Sequence, residues 1–236
     1  MKDVDQALAR MDAPDPLVTW CAEHGYTLKE AWTACDSPTW LLWLAGAAGF
    51  AVDTSVMHVG TWVGTQCAAI PELVPLAERT LDASREAMFG GATAACIAAA
   101  ESAAGLAKAV PTTFRDVPPV GFEPLALALS WVARAAEGVA TARVRAEAGR
   151  MERARRAASY LGAGVDTLLE RESPIRLDTA MLPGDPFQTE LLYVFAALAE
   201  ALDYVMKAER TRRDTRAPIA SASLACDQLR AAFVSD

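Results

Sequence analysis

The chain has 236 residues, of which 53% are hydrophobic and 22% are charged, and its formal net charge is −8. This length and composition fit one large or two small folded domains, and they exclude a disordered chain, a collagen-like repeat and a disulfide scaffold. Alanine makes up about a fifth of the residues. Because alanine is the best helix former and a poor strand former, we expect an all-α protein, an irregular bundle of roughly ten helices without a sheet.

Helix start and stop signals recur along the first half of the chain. Thr27 followed by Glu30 has the spacing of a capping box, and Ser37-Pro38 places a cap residue before a proline at the first helical position. Gly25 and Gly49 are typical of helix ends. The predicted helices cover residues 3–11, 17–24, 28–35, 38–48, about 54–69, 71–89 and 92–109.

Four prolines at positions 111, 118, 119 and 124 predict a loop over residues 111–124. This loop separates an acidic, Trp- and Ala-rich helical half, residues 1–110, from an Arg-containing helical half, residues 125–236. We expect the two halves to form one compact unit. Further helices are predicted over residues 124–160, with Gly138 and Gly149 as candidate breaks, and over 165–172, 186–213 and 219–234.

The charge distribution indicates which partners to expect, and the cysteines indicate the compartment. Residues 1–130 contain 7 basic and 15 acidic side chains, whereas residues 131–236 contain 15 of each. A net-acidic chain repels phosphate backbones, so we do not expect a nucleic-acid partner. The five cysteines are widely spaced without a Cys-x-x-Cys pair, which predicts buried free thiols in a reducing cytoplasm and no metal site.

We expect a cytoplasmic protein without a membrane span. The N-terminus shows no basic patch followed by an apolar stretch, so no secretory signal is predicted. The longest weakly charged run, Thr54–Ile70, is too polar and too short to cross a membrane.

Aromatic residues cluster in the segment Ala31–Ala45. Trp32 and Cys35 are spaced to share one helix face, and Trp40 and Trp43 are spaced likewise on the next helix. Large aromatic side chains bury much area, so this segment predicts a packing nucleus at a helix–turn–helix corner. The alternative is a pocket for an aromatic ligand or a partner.

The same segment resembles a known group of proteins. Its pattern Ala-Trp-x-Ala-Cys-x-x-x-x-Trp-x-x-Trp-Leu is similar to the start of alanine-rich helical immunity proteins of bacteria and phages. Cys67, Cys96 and the alanine tract 92–109 extend the similarity loosely, and the sequence departs from the pattern after Val110. The resemblance implies a protein that neutralises a toxin by protein–protein contact.

Motifs for catalysis are sparse. Neither His24 nor His58 has a partner at metal-ligand spacing, and the common phosphate-binding and hydrolase motifs do not occur. His24 is predicted to cap a helix end, and no cofactor is expected. His58 is the one candidate base, which leaves open a small-molecule enzyme or sensor whose pocket is lined by Trp and Cys. A Cys–His pair with Cys35, Cys67 or Cys96 is the catalytic version of that hypothesis.

Acidic residues of the first half are the candidate binding surface. Glu78, Asp82 and Glu86 are four residues apart and fall on one helix face, with Glu72 shortly before them. Like charges at this spacing repel, so stability alone does not explain them. An acidic surface is suited to covering the basic site of a nuclease. The sequence therefore favours a non-catalytic helical protein that binds a basic toxin.

The second half offers a different surface. Six arginines fall between residues 143 and 156, and the spacing of Glu147 to Arg150 and of Glu152 to Arg156 allows helix-face ion pairs. Arg150 and Arg153 are candidate partner-binding residues. The alternative function is a structural or adaptor protein that self-associates through helices 92–109 and 143–156.

Overall fold

Ten α-helices and one 3-10 helix account for most of the part of the chain that the structure describes. The computed structural model describes residues 4–11, 13–49, 52–90, 93–109, 118–161, 188–213 and 222–234, and no strand occurs among them. The all-α fold class is therefore confirmed. The helices are α1 (Val4–Arg10), α2 (Asp15–His24), α3 (Leu28–Ala34), α4 (Pro38–Ala48), α5 (Val52–Cys67), the 3-10 helix Pro71–Leu73, α6 (Val74–Gly90), α7 (Ala94–Lys108), α8 (Phe122–Leu161), α9 (Gln188–Arg213) and α10 (Ala222–Val234).

The central element is α8, which runs for 40 residues. It packs against α5, α6 and α7 from the first half of the chain and against α9 from the second half. Its buried face alternates large side chains such as Leu125, Leu129 and Val132 with alanines. Small residues let the neighbouring helices approach closely. Helices from both halves therefore share one core around α8.

One described stretch, Phe122–Ala148 in α8, is long and apolar enough to cross a membrane by length and composition alone. The expectation of no membrane span rested on the run Thr54–Ile70 and not on this stretch. Most of this stretch is buried against other helices, and the core helix of a helical bundle satisfies the same criterion. The stretch is weak evidence for a membrane span.

Local signals placed several helix ends correctly. The Thr27 backbone N–H donates to Glu30 Oε2 at 2.8 Å, and the Glu30 N–H donates to Thr27 Oγ1 at 3.3 Å, which completes the capping box. The bond from the Thr27 backbone N–H, and a second from the Thr27 hydroxyl to Glu30 Oε2 at 2.7 Å, lower the pKa of the Glu30 carboxyl. Gly25 and Gly49 end their helices in the left-handed conformation, with φ of 61° and 89°. The sequence thus determines these ends locally.

Several predicted boundaries are wrong. Helix α2 begins at Asp15, since Pro16 fits in a first turn where its missing N–H is not needed. Residues 71–73 form a 3-10 turn, and α6 begins after them. Likewise α8 begins at Phe122, so the proline-rich segment ends at Gly121 and Pro124 lies inside the helix. Residues 110–117 and the predicted helix 165–172 lie outside the described residues.

Gly138 does not break α8. It lies where α9 packs closely against α8, and its lack of a side chain leaves room for this contact. A Cβ at this position would lie 2.8 Å from Val194 Cγ2 and 3.1 Å from Tyr193 Cδ1, both on α9. The helical backbone also continues through Gly149. The glycine at 138 therefore marks where α9 crosses α8.

Candidate functional site

Three exposed carboxylates lie along α6. Glu78, Asp82 and Glu86 are all exposed, as their spacing predicted. Asp82 accepts a hydrogen bond from Arg85 Nη1 at 2.8 Å, with 71% and 53% of the two side chains exposed. A pair this exposed contributes little to stability, about 0–1 kcal/mol. No described cation forms an ion pair with Glu78 or Glu86.

Two of these carboxylates border a groove between α6 and α7, which we call the acidic groove. It has a volume of about 300 Å³. Asp82 and Glu86 carry its acidic charge, and Arg79 also lies along it. The other lining residues are mostly small: Leu76 and Ala83 of α6, and Ala95, Ala98, Ala99 and Ser102 of α7.

Two hydrogen bonds hold α7 in place beneath the acidic groove. The buried Cys96 thiol donates to the Ala83 carbonyl at 3.3 Å, which joins α7 to α6. The buried Ser130 hydroxyl donates to the Ala100 carbonyl at 3.0 Å, which joins α7 to α8. Burial raises the pKa of the Cys96 thiol to about 11, so the thiol keeps its proton at neutral pH and remains a donor.

The other predicted binding residues lie elsewhere. Glu72 is exposed in the 3-10 helix and does not border the acidic groove. Glu78 lies one turn before Asp82 on the same helix and is also outside the lining. The side chains of Arg150 and Arg153 lie outside the described part of the structure, although the backbone there is helical. The structure therefore brings together Asp82 and Glu86, extended along α6 by Glu78.

Sequence reasoning missed the α7 side of the acidic groove. Ala95, Ala98, Ala99 and Ser102 have helical spacing, which is a signal that the sequence contains. The sequence favours self-association as the alternative role of the alanine tract 92–109, because nothing in it indicates that α7 lies beside the acidic face of α6. Arg79 was also missed.

The tryptophan motif lies in the core. Cys35 is buried, and its thiol donates to the Ser37 carbonyl at 3.3 Å. Trp43 is buried and stacks on Phe195 of α9, with ring centroids 5.7 Å apart. Trp40 is half-buried against Trp20 at 5.5 Å. These contacts account for the motif as packing.

The C-terminal helix α10 closes over this motif. Arg230 donates from Nε to the Trp32 carbonyl at 3.1 Å and from Nη2 to the Thr33 carbonyl at 3.3 Å. Nη2 also donates to the Cys35 carbonyl. Phe233 packs edge-on against Trp32, with ring centroids 5.9 Å apart. Arg230 therefore caps the C-terminal carbonyls of α3 from a distant part of the chain.

Among the described residues, no Trp or Cys lines the cavity that contains His58, although one hypothesis placed both there. His58 lies on α5 beside Met57, Arg85, Met88 and Arg143, and its ring meets Phe233 at 5.4 Å. All five cysteines are buried. Burial raises the pKa of the Cys35 thiol to about 11, whereas a nucleophilic cysteine needs a lowered pKa. The Cys–His hypothesis loses its physical basis for Cys35 and Cys96.

Fold and surface together define an all-α bundle with an acidic groove between two helices. Within the described ranges, no group of three or more His, Cys, Asp or Glu residues is placed to hold a metal ion. Comparison with known proteins gave no match: no family model, no curated protein and no solved structure is similar to the chain.

Proposed function

We propose that this chain is a non-catalytic binding protein whose acidic groove receives a basic segment of a partner protein. The observation that carries the proposal is the row of exposed carboxylates, Glu78, Asp82 and Glu86, beside a groove lined by alanine. Helix-face repulsion among these carboxylates costs stability, and a cationic partner would relieve it.

The shape of the acidic groove suits such a partner. Alanine and serine side chains leave room for a long side chain to lie between α6 and α7. Lysine and arginine have apolar stems and charged heads, so the stem would lie on alanine while the head meets Asp82 or Glu86. The surplus of acidic over basic side chains in residues 1–130 would also steer a cationic partner toward this half.

The proposed partner class is a basic bacterial toxin, such as a nuclease. The resemblance of Ala31–Ala45 to immunity proteins supports this class, and an acidic surface can cover a cationic active site. Because Cys35 and Trp43 are buried and Trp32 and Trp40 pack against the core, we assign binding to α6 and a packing role to the motif.

A charge reversal tests the proposal. The partner is first captured from native lysate with the tagged chain at moderate salt and identified by mass spectrometry. Affinity is then measured for a variant carrying Glu78→Lys, Asp82→Lys and Glu86→Lys. A loss of about 100-fold or more is expected, since interface charge pairs contribute about 1.5–7 kcal/mol.

A matched control keeps the same net charge. Asp15→Lys, Glu23→Lys and Glu200→Lys reverse three exposed acidic residues on other helices. The control is expected to lose less than about ten-fold, because distant charges act mainly through screened steering. Equal loss in both variants, or none in the groove variant, would refute the role of the acidic groove.

Exposed apolar residues favour one alternative, assembly by self-association. Ile97 on α7 is 40% exposed and Val144 on α8 is 57% exposed. Both fall in the segments predicted for self-association. Light scattering that shows a defined oligomer over a wide concentration range, with capture returning only the chain itself, would support assembly over toxin binding.

A further inference from the structure

A second cavity lies where α5, α6 and α8 meet. It has a volume of about 460 Å³, within the range of small-molecule sites. Asp53, Thr54, Met57 and His58 of α5 line it, together with Arg85 and Met88 of α6 and Arg143 of α8. We call it the arginine cavity.

Arg143 is fixed in this cavity by two bonds to different helices. Its Nη2 donates to Asp53 Oδ2 at 2.5 Å, and its Nη1 donates to the Met88 carbonyl. Asp53 Oδ1 in turn accepts from the Thr54 N–H at 3.0 Å. Arg143 Nε is buried and has no acceptor among the described residues. The guanidinium is therefore held in one orientation, and Asp53 balances its charge.

Arg85 is the arginine of this cavity that Asp53 does not pair with. Its one ion pair within the described residues is with Asp82, which borders the acidic groove and is mostly exposed. The lining of the arginine cavity holds two arginines and one aspartate, and the partner of the second arginine, Asp82, lies outside the lining. Because the pair of Arg85 and Asp82 is mostly exposed and weak, one anion in the cavity can take the place of Asp82 at the guanidinium. A singly charged anion matches the charge of Asp82 better than a doubly charged phosphate does.

Besides the polar Thr54 and His58, the lining contains two methionines, which form its apolar part. Met88 is buried and Met57 is half-buried, and both face this cavity from adjacent helices. Methionine side chains are flexible and polarizable, so they fit apolar groups of varied shape. A ligand with one anionic head and a short apolar body would satisfy both parts of the lining.

We infer that the arginine cavity is a binding site for a small organic carboxylate. Its head pairs with the Arg85 guanidinium, and its apolar body lies between Met57 and Met88. This site is separate from the proposed protein-binding groove and goes beyond the proposed function. A planar carboxylate also matches the fork of N–H donors that a guanidinium presents.

The test uses the full chain and hexanoate as the probe. Isotope labelling of the methyl groups of the 7 methionines gives one NMR signal per residue, assigned with Met→Leu variants. Saturable shifts are expected at Met57 and Met88 and not at Met206 on α9. Arg85→Met should weaken hexanoate binding by about ten-fold or more, because it removes a charged hydrogen bond of about 1.5–3 kcal/mol. Arg210→Met, an exposed position on α9 outside the arginine cavity and the acidic groove, should leave the affinity unchanged.

Matched probes decide between chemistries. Hexanol and hexylamine share the apolar body without the negative charge, and inorganic phosphate carries charge without the body. Equal binding of hexanol, or unchanged hexanoate affinity in Arg85→Met, would overturn the proposal. So would binding of phosphate in place of hexanoate, or shifts confined to methionines outside this cavity. Glu86→Lys should weaken the protein partner without affecting hexanoate, so failure of either proposal leaves the other testable.

Discussion

Replacing Arg230 tests whether α10 stabilises the tryptophan motif of Ala31–Ala45 through polar contacts. Arg230→Met keeps much of the apolar stem and removes the guanidinium. The variant loses donors to the carbonyls of Trp32, Thr33 and Cys35, and the ion pair of Arg230 with Asp227 at 3.0 Å. Packing of Phe233 on Trp32 is retained.

The expected cost follows from these bonds. A hydrogen bond from a charged donor contributes roughly 1.5–3 kcal/mol. The Arg230 side chain is 23% exposed, so water can replace part of what is lost. The ion pair with the mostly exposed Asp227 adds little. We expect the free energy of unfolding to fall by about 2–4 kcal/mol, since three bonds on one group are not additive.

Urea denaturation followed by far-UV circular dichroism measures this change. Arg79→Met is the control, because Arg79 is exposed and makes one local bond, to the Pro75 carbonyl at 3.2 Å. The control should change stability by about 0.5 kcal/mol or less. If Arg230→Met and Arg79→Met have the same free energy of unfolding, the contacts of Arg230 do not stabilise the tryptophan motif.

Two further predictions concern packing and alkaline pH. Gly46→Ala should cost about 1–3 kcal/mol, because a Cβ there would overlap Met11 Cε and lie 2.9 Å from Cζ of the buried Phe195 ring. Gly105→Ala, with open space at its Cβ, should instead stabilise the protein by about 0.5–1 kcal/mol. If urea denaturation shows that both substitutions change the free energy of unfolding in the same direction, this prediction is contradicted. Burial raises the pKa of the Cys226 thiol from 9.0 to about 12, so its contribution to stability is complete below pH 9.0 and declines toward pH 12. Cys226→Ala should make the free energy of unfolding, measured by urea denaturation, fall less steeply over this pH range. If the pH dependence is the same in Cys226→Ala as in the unchanged protein, the prediction is wrong.

Helix ends were predictable where their causes are local. The capping box joins Thr27 and Glu30, and the Ser37 hydroxyl accepts from the Trp40 N–H at 3.4 Å. Each partner lies three residues from the other, so the sequence displays the whole interaction. The exposed row on α6 was predictable for the same reason.

The contacts that build the sites are not local. Arg230 reaches Trp32 across 198 positions, and Arg143 reaches Asp53 across 90. In the sequence, Arg143 is one of a run of arginines that resembles a solvated helix face. Its role depends on where α8 crosses α5 and α6, which helix periodicity does not specify. The predicted break at Gly138 is wrong for the same reason, because the sequence does not distinguish a glycine that makes room for a neighbouring helix from one that ends a helix.

The pair of Asp82 and Arg85 connects the two proposed sites, because Asp82 borders the acidic groove and Arg85 lines the arginine cavity. An anion that pairs with Arg85 competes with Asp82 for the guanidinium and leaves the Asp82 carboxylate more available to a basic partner. By thermodynamic linkage, each ligand would then raise the affinity for the other by the same factor. The pair is exposed, so this factor should be small, about two- to five-fold on the scale of a surface ion pair. Measuring partner affinity with and without saturating hexanoate tests the coupling, and Asp82→Asn should abolish it. Persistent coupling in Asp82→Asn would mean that another path connects the two sites.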